Sequence, residues 1–150
     1  MEDVKVLSSN KKAYFNYFLS DFLEAGIELK GTEIKSLKLH GASLNDSYIL
    51  IKNEEAYIIN MNIAPYDKGN IFNHDPLRTR KLLLHKQEII KLKRKIQEKG
   101  FTIVATKIYL KNGRAKMEIA LAKGKKLFDK RDVEKEKSQK REIDKKLKNY

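Results

Sequence analysis

The chain has 150 residues, 41% of them hydrophobic, which suits one modest core plus an extension. Its 33 Lys and Arg outnumber 20 Asp and Glu, and the net charge of +13 favours polyanions such as RNA, DNA or an anionic lipid surface. The absence of cysteine excludes disulfides, thiolate metal sites and thiol catalysis; no apolar run suits a signal peptide or a membrane span, so a soluble, cytoplasmic protein is expected.

In chain order, strand signals come first. Tyr14–Phe22 fits either a helix or a strand by periodicity. The strand is preferred, because the segment runs through Gly26 into Ile27–Lys35, where Ile27 and Leu29 alternate with Glu28 and Lys30. Ser43 with Asp46 resembles a capping box and predicts a short helical turn over Ser43–Ser47. Tyr48–Ile51 and Ala56–Ile59 flank the polar turn Lys52-Asn53-Glu54-Glu55 and predict a hairpin. Ile89, Leu92 and Ile96 recur at i, i+3 and i+7, which predicts a helix from His85 to Lys99 with Gly100 as its C-cap. Phe101–Leu110 meets Met117–Leu121 across Asn112-Gly113, the strongest short hairpin signal.

Many short strands, two hairpins and one longer helix predict a mainly β fold. A small closed or half-closed antiparallel β-barrel of the OB type is expected, an architecture that often binds nucleic acid. Two regions are predicted: a barrel over residues 1–122 and a basic tail over residues 123–150. The tail has twelve Lys and Arg against six Asp and Glu, and few apolar residues. It cannot bury enough surface to offset its ordering entropy, so it is expected to be disordered when free. Glu136–Lys140, Glu142–Lys146 and Asp144–Lys148 stand acid-before-base at i,i+4, so a helix on a partner is expected. A solvated tail that only improves solubility remains the plainer alternative.

Catalytic chemistry is sparse. His40, His74 and His85 have no second histidine at ligand spacing, and no HExxH, G-x-S-x-G or P-loop frame is present. A small hydrolase built around His74 is the weakest reading; Glu24, Glu28 and Glu33 are read as structural or RNA-contact groups. No enzyme activity, cofactor or metal is expected. The basic clusters are more informative. They are Arg78–Lys81 before Leu82–Leu84, Lys91–Lys95 on the helix, and Lys107, Lys111, Arg114 and Lys116 on the last hairpin. Cations of this kind meet phosphates while exposed aromatics stack on unpaired bases; most of the seven Tyr and six Phe are nevertheless expected in the core.

Five strings stand in order along the chain: SNKKAY, AGIELKGTEIKSLK, NDSY, DPLRTRKLLL with a following KQEI, and KGKKLFDKR. Together they resemble the SmpB family, from about Asn10 into the tail. The resemblance implies an OB-fold barrel that binds the tRNA-like domain of tmRNA and delivers it to stalled ribosomes in trans-translation. It implies a tail that enters the decoding centre against small-subunit rRNA and becomes helical in the empty mRNA channel. An indirect partnership with the elongation factor that delivers alanyl-tmRNA follows from the same resemblance.

By motif, Asn10, Lys11, Glu24, Leu83 and Lys116 are the implied tmRNA contacts, with Lys35, Arg78, Arg80 and Lys81 added from charge and neighbouring motifs. Gly124, Lys125, Lys126, Phe128, Asp129, Lys130 and Arg131 are implied to act at the decoding centre, with Gly124 as a hinge. The chain departs from the family pattern at Ala105-Thr106, where Pro-Leu is common, and at Phe128, where His or Tyr is common. The rival function is a structural ribosomal protein or a general OB-fold binder of single-stranded RNA.

Overall fold

The structure is a computed structural model and describes residues 3–68, 73–98 and 100–125. Among the described residues seven strands and three helices follow one another: β1 (Val4–Ser9), α1 (Lys11–Asn16), β2 (Tyr17–Ile27), α2 (Gly31–His40), β3 (Tyr48–Lys52), β4 (Glu55–Ile59), β5 (Arg80–Leu83), α3 (Lys86–Gln97), β6 (Phe101–Lys111) and β7 (Arg114–Gly124). The strands form one sheet in the order β1-β6-β7-β2-β5-β4-β3, and every pairing is antiparallel. The sheet curls so that the edge strand β3 returns to lie beside β6.

Both predicted hairpins are present, for a local reason. Asn53 and Glu54 (φ 52° and 61°) and Asn112 and Gly113 (φ 52° and 80°) all have positive φ, as the tight turn matching strand twist requires. The core lies inside the curl, with Leu37, Ile58, Met61, Leu82, Ile108, Met117 and Ile119 almost fully buried. In α3, Ile89 and Leu92 are buried and Ile96 half-buried, as the periodicity predicts. The helix stops at Gln97 with Glu98 as C-cap, short of the predicted Lys99.

Five expectations need correction. The aromatics are not mainly core: of the ten described Tyr and Phe only Tyr109 is buried. Tyr14 belongs to α1, and the strand starts only at Tyr17. Asn10 caps α1 by accepting from the Ala13 amide at 3.2 Å, a tertiary-supported cap that periodicity does not reveal. The strand reading of Ile27–Lys35 fails beyond Ile27, because α2 begins at Gly31. That helix buries Glu33 and Ser36 alongside Leu37, so its inward face carries little apolar signal. Ser43–Ser47 is not helical: Ser43 bridges to Asn62, and the Ser47 amide closes a turn onto the Leu44 carbonyl at 3.1 Å. Finally, Gly124 pairs with Tyr17 as the last residue of β7, so it is part of the sheet and not a hinge ahead of it.

Candidate nucleic-acid interface

Strand register assembles the site on the outer face of the sheet. Gly26 in β2 lies opposite Leu83 of β5 on one side and Lys116 of β7 on the other. Directly paired residues share a face, and so do residues two apart on one strand. Leu83, Lys116, Glu24 and Lys81 therefore rise on the side away from the core. A Cβ at Gly26 would lie 3.1 Å from the Leu83 Cβ, so the missing side chain lets Leu83 lie across the strand. Gly26 is not in a positive-φ conformation; close approach alone explains the glycine.

The result is an open groove of about 720 Å³ lined by Glu24, Gly26, Lys81, Leu83 and Lys116, by His85 and Lys86 at the start of α3, and by Asn53 and Glu54 at the tip of the β3–β4 hairpin. Leu83 is 49% exposed amid these charges. An exposed apolar side chain ringed by polar groups suits a base or sugar, with the cations suited to phosphate.

Glu24 accepts from the Tyr109 hydroxyl at 2.5 Å and lies 3.4 Å from the Lys111 ammonium. The Tyr109 hydrogen bond, then those from Lys111, hold its carboxyl below the usual value against desolvation, and nearby Lys116 adds to this. Glu24 is thus an ionised acceptor on a basic surface, able to take a base amino group or sugar hydroxyl. Lys81 is tied to Glu55 at 2.9 Å; that bond raises the lysine and lowers the carboxylate. Lys116 makes no ion pair within 4.0 Å among the described residues, which leaves its ammonium available.

The groove thus collects Glu24, Lys81, Leu83 and Lys116, but not the other candidates. Asn10 is only 3% exposed, and besides capping α1 it donates to the Leu44 and Ala105 carbonyls at 3.2 and 2.9 Å. Arg80 is fully buried: its guanidinium bonds Glu33, the Met61 carbonyl at 2.7 Å and the Pro76 carbonyl at 3.2 Å. Asn10 was expected as an RNA contact by motif and Arg80 from charge and neighbouring motifs; the side chains of both are bonded inside the fold. Arg78 is partly exposed but also bound to Glu33, at 2.6 Å. Burial pushes the Glu33 carboxyl up, yet hydrogen bonds from Arg78, the Lys30 amide and Arg80 together outweigh it and hold the carboxyl low.

Lys11 lies exposed on α1, and Lys35 lies on α2 over the Tyr66 ring at 5.6 Å. Lys125 donates to the Tyr14 carbonyl at 3.2 Å and sits 5.3 Å from the centre of the Phe18 ring. Around it Tyr14, Phe15 and Phe18 are 50%, 80% and 55% exposed, a second aromatic and basic surface at the far end of β2. Lys126, Phe128, Asp129, Lys130 and Arg131 lie outside the described residues.

Sequence reasoning missed Gly26 and Tyr109 as site residues. Alternation in β6, with Lys107, Tyr109 and Lys111 on one face, was the available signal for the tyrosine. The hydrolase reading loses its base. His74 is 4% exposed, with Nδ1 at 2.9 Å from the Thr32 hydroxyl and Nε2 at 2.9 Å from the Ile63 carbonyl, so both ring nitrogens are engaged inside the fold. Among the described residues no group of three or more metal-binding side chains occurs.

A family model described as "SmpB protein" matches residues 7–149. An "SsrA-binding protein" of Caldicellulosiruptor saccharolyticus is 54% identical over 149 residues, covering 99% of this chain and 94% of the relative. One from Malacoplasma penetrans is 57% identical over 139 residues, covering 93% of this chain and 95% of the relative. Among solved structures, a chain from the one called "tmRNA-SmpB: a journey to the center of the bacterial ribosome" is 43% identical, with a TM-score of 0.71, and the match covers 88% of this chain and 93% of that one.

Proposed function

This chain belongs to the SmpB family, and we propose that it binds the tRNA-like domain of tmRNA and delivers it to stalled ribosomes in trans-translation. The observation that carries the reading is the outer-face groove, where Glu24, Leu83 and Lys116 meet around Gly26. Lys116 supplies a phosphate-binding cation, Leu83 an apolar platform and Glu24 an ionised acceptor. This combination suits a folded RNA read through backbone and exposed nucleotides. Lys81, Lys11 and Lys35 add positive field, and Asn10, Arg78 and Arg80 support the fold beneath.

The curled antiparallel sheet is read as an OB-like barrel, which carries no reaction of its own and works in the cytoplasm. Residues 1–122, with Lys123 and Gly124 completing β7, form the RNA-binding body; the remaining tail acts on the ribosome. Gly124, Lys125 and Lys126 lead into the FDKR sequence at 128–131, which by family resemblance enters the decoding centre, with the rest of the tail in the empty mRNA channel.

Two variants test the division of labour. Lys116→Ala weakens binding of a tRNA-like-domain transcript at fixed moderate salt; unchanged affinity removes the groove from the interface. Truncation after Lys126 leaves that affinity nearly intact but abolishes tagging of stalled peptides; loss of affinity on truncation overturns the separation. The exposed Phe15 and Phe18 beside Lys125 favour one rival, a general single-strand binder. A scrambled oligonucleotide competes with the transcript under that rival, and fails to compete if folded RNA is the ligand.

A further inference from the structure

The groove around Leu83 does not stop at the start of α3. A second, smaller groove of about 210 Å³ continues from it along the helix and shares Glu54, Lys86 and Ile89 with the first. Its new lining is Ile90, Lys93, Arg94 and Gln97. At 3.6 residues per turn, Lys86, Ile90, Lys93 and Gln97 fall within about 60° of one another, with Arg94 just beyond. Lys86 and Lys93 are seven residues apart, about 10 Å along the axis.

The charges on this stripe are available. Lys95 pairs with Glu98 at 3.7 Å and the Glu88 carboxylate accepts from the His85 amide, whereas Lys86, Lys93 and Arg94 make no ion pair within 4.0 Å among the described residues. Glu54 is the only carboxylate common to both grooves. Ile90, 41% exposed between Lys86 and Arg94, gives the stripe an apolar surface between its cations.

We infer that the RNA-binding surface runs past the Leu83–Lys116 groove onto α3, where Lys86, Lys93 and Arg94 contact the phosphodiester backbone of the same folded RNA. The inference rests on the proposed RNA-binding role of the first groove and extends it. One strand of the RNA lies along the helix axis, its phosphates against the three cations and a sugar edge against Ile90. Recognition there is of shape and charge, with no base read.

The test uses the full chain and a transcript of the tmRNA tRNA-like domain, with binding measured across a salt series. The triple variant Lys86→Ala, Lys93→Ala, Arg94→Ala is compared with Lys5→Ala, Lys38→Ala, Lys68→Ala, which removes the same charge from exposed positions elsewhere. Lys116→Ala is the reference for the first groove. The α3 triple is expected to lose about tenfold or more in affinity and to flatten the salt slope by about one unit per contact; the control is expected to lose less than about threefold. Equal losses in the two triples, or an unchanged slope in the α3 triple, overturn the inference. If Lys116→Ala binds weakly while the α3 triple matches the control, the extension falls and the first groove stands. If neither weakens binding, both fall. All these side chains lie outside the core, so circular dichroism before and after substitution keeps folding out of the comparison.

Discussion

Replacing Glu33 with Gln removes one negative charge from beside a fully buried guanidinium while leaving side-chain volume almost unchanged. Glu33 is the hinge of a three-residue network. One oxygen receives Arg78 at 2.6 Å and the Lys30 amide at 2.7 Å, and the other receives Arg80. Arg78 is partly exposed and can be rehydrated; Arg80 cannot. Breaking a buried pair on one side costs about 3–5 kcal/mol, because the surviving charge stays desolvated. For a chain of this length that corresponds to a drop in Tm of roughly 6–20 °C. The double variant Glu33→Gln with Arg80→Met recovers much of the loss, since no buried cation then remains. Urea denaturation with thermal melts is the assay. A cost below about 1 kcal/mol, or a double variant no more stable than the single, refutes the reasoning. The pH dependence has a definite sign. A folded-state carboxyl held below its unfolded value stabilises the fold above the unfolded value, and that stability fades as pH falls through the folded one. The wild-type protein therefore loses part of its acid-side stability below the ordinary carboxylate range, and Glu33→Gln flattens that limb.

Asn10→Ala removes the α1 cap, worth about 1 kcal/mol, and leaves the Leu44 and Ala105 carbonyls without their donor, for a total loss of roughly 2–4 kcal/mol in urea denaturation. Lys11→Ala, one residue on and exposed, leaves the urea midpoint unchanged. Gly26→Ala alters stability by less than about 1 kcal/mol, because no positive φ is involved, but pushes Leu83 off the strand by a few tenths of an ångström. Its tmRNA affinity falls severalfold with Tm nearly constant, as filter binding and a thermal melt measure side by side.

The two hairpins were legible because their signals are local: Asn-Gly favours positive φ at both turn positions, and the four polar residues Lys52–Glu55 separate two β-branched and aromatic runs, although Glu54 itself carries no preference for its positive φ. The helix α3 was legible because its anchors are all aliphatic. The α2 helix was not, since two of its three buried residues are Glu33 and Ser36: Glu33 depends on Arg78 and Arg80, more than forty residues away in the chain, and Ser36 on the distant Ala64 carbonyl to which its hydroxyl donates. The same partnership explains why Arg80 was read as a surface cation. An arginine in a basic cluster looks the same in sequence whether it faces water or a buried carboxylate. Glu24, Leu83 and Lys116 came from ordered motifs, and no local pattern predicts that they meet. They converge because Gly26 pairs with β5 and β7 at once, a non-local register. Asn10 shows the converse: it was read from a motif as an RNA contact, and its amide works inward.

The geometry of β2 gives a physical reason for one chain to hold one RNA and act on another. Its C-terminal end carries Gly26 and the groove, and its N-terminal end, Tyr17, pairs with Gly124 at the last step of β7. The eight residue steps from Phe18 to Gly26 span about 26 Å at about 3.3 Å each, shortened somewhat where the register shifts between Ser20 and Leu23. The groove and the root of the tail therefore sit at opposite ends of one rod in the middle of a seven-stranded sheet. β2 has a strand on both sides only at Gly26 and Ile27, but its neighbour β7 is paired with β2 on one side and β6 on the other from Lys116 to Lys123, so an RNA held at Gly26 and Lys116 fixes where the chain leaves the sheet. Lys125, bound to the Tyr14 carbonyl and with its ammonium over the Phe18 ring, anchors the chain one residue past that exit. Under the proposed function the body works as a ruler: it converts recognition of the tRNA-like domain into placement of the tail, with no conformational signal passed between them.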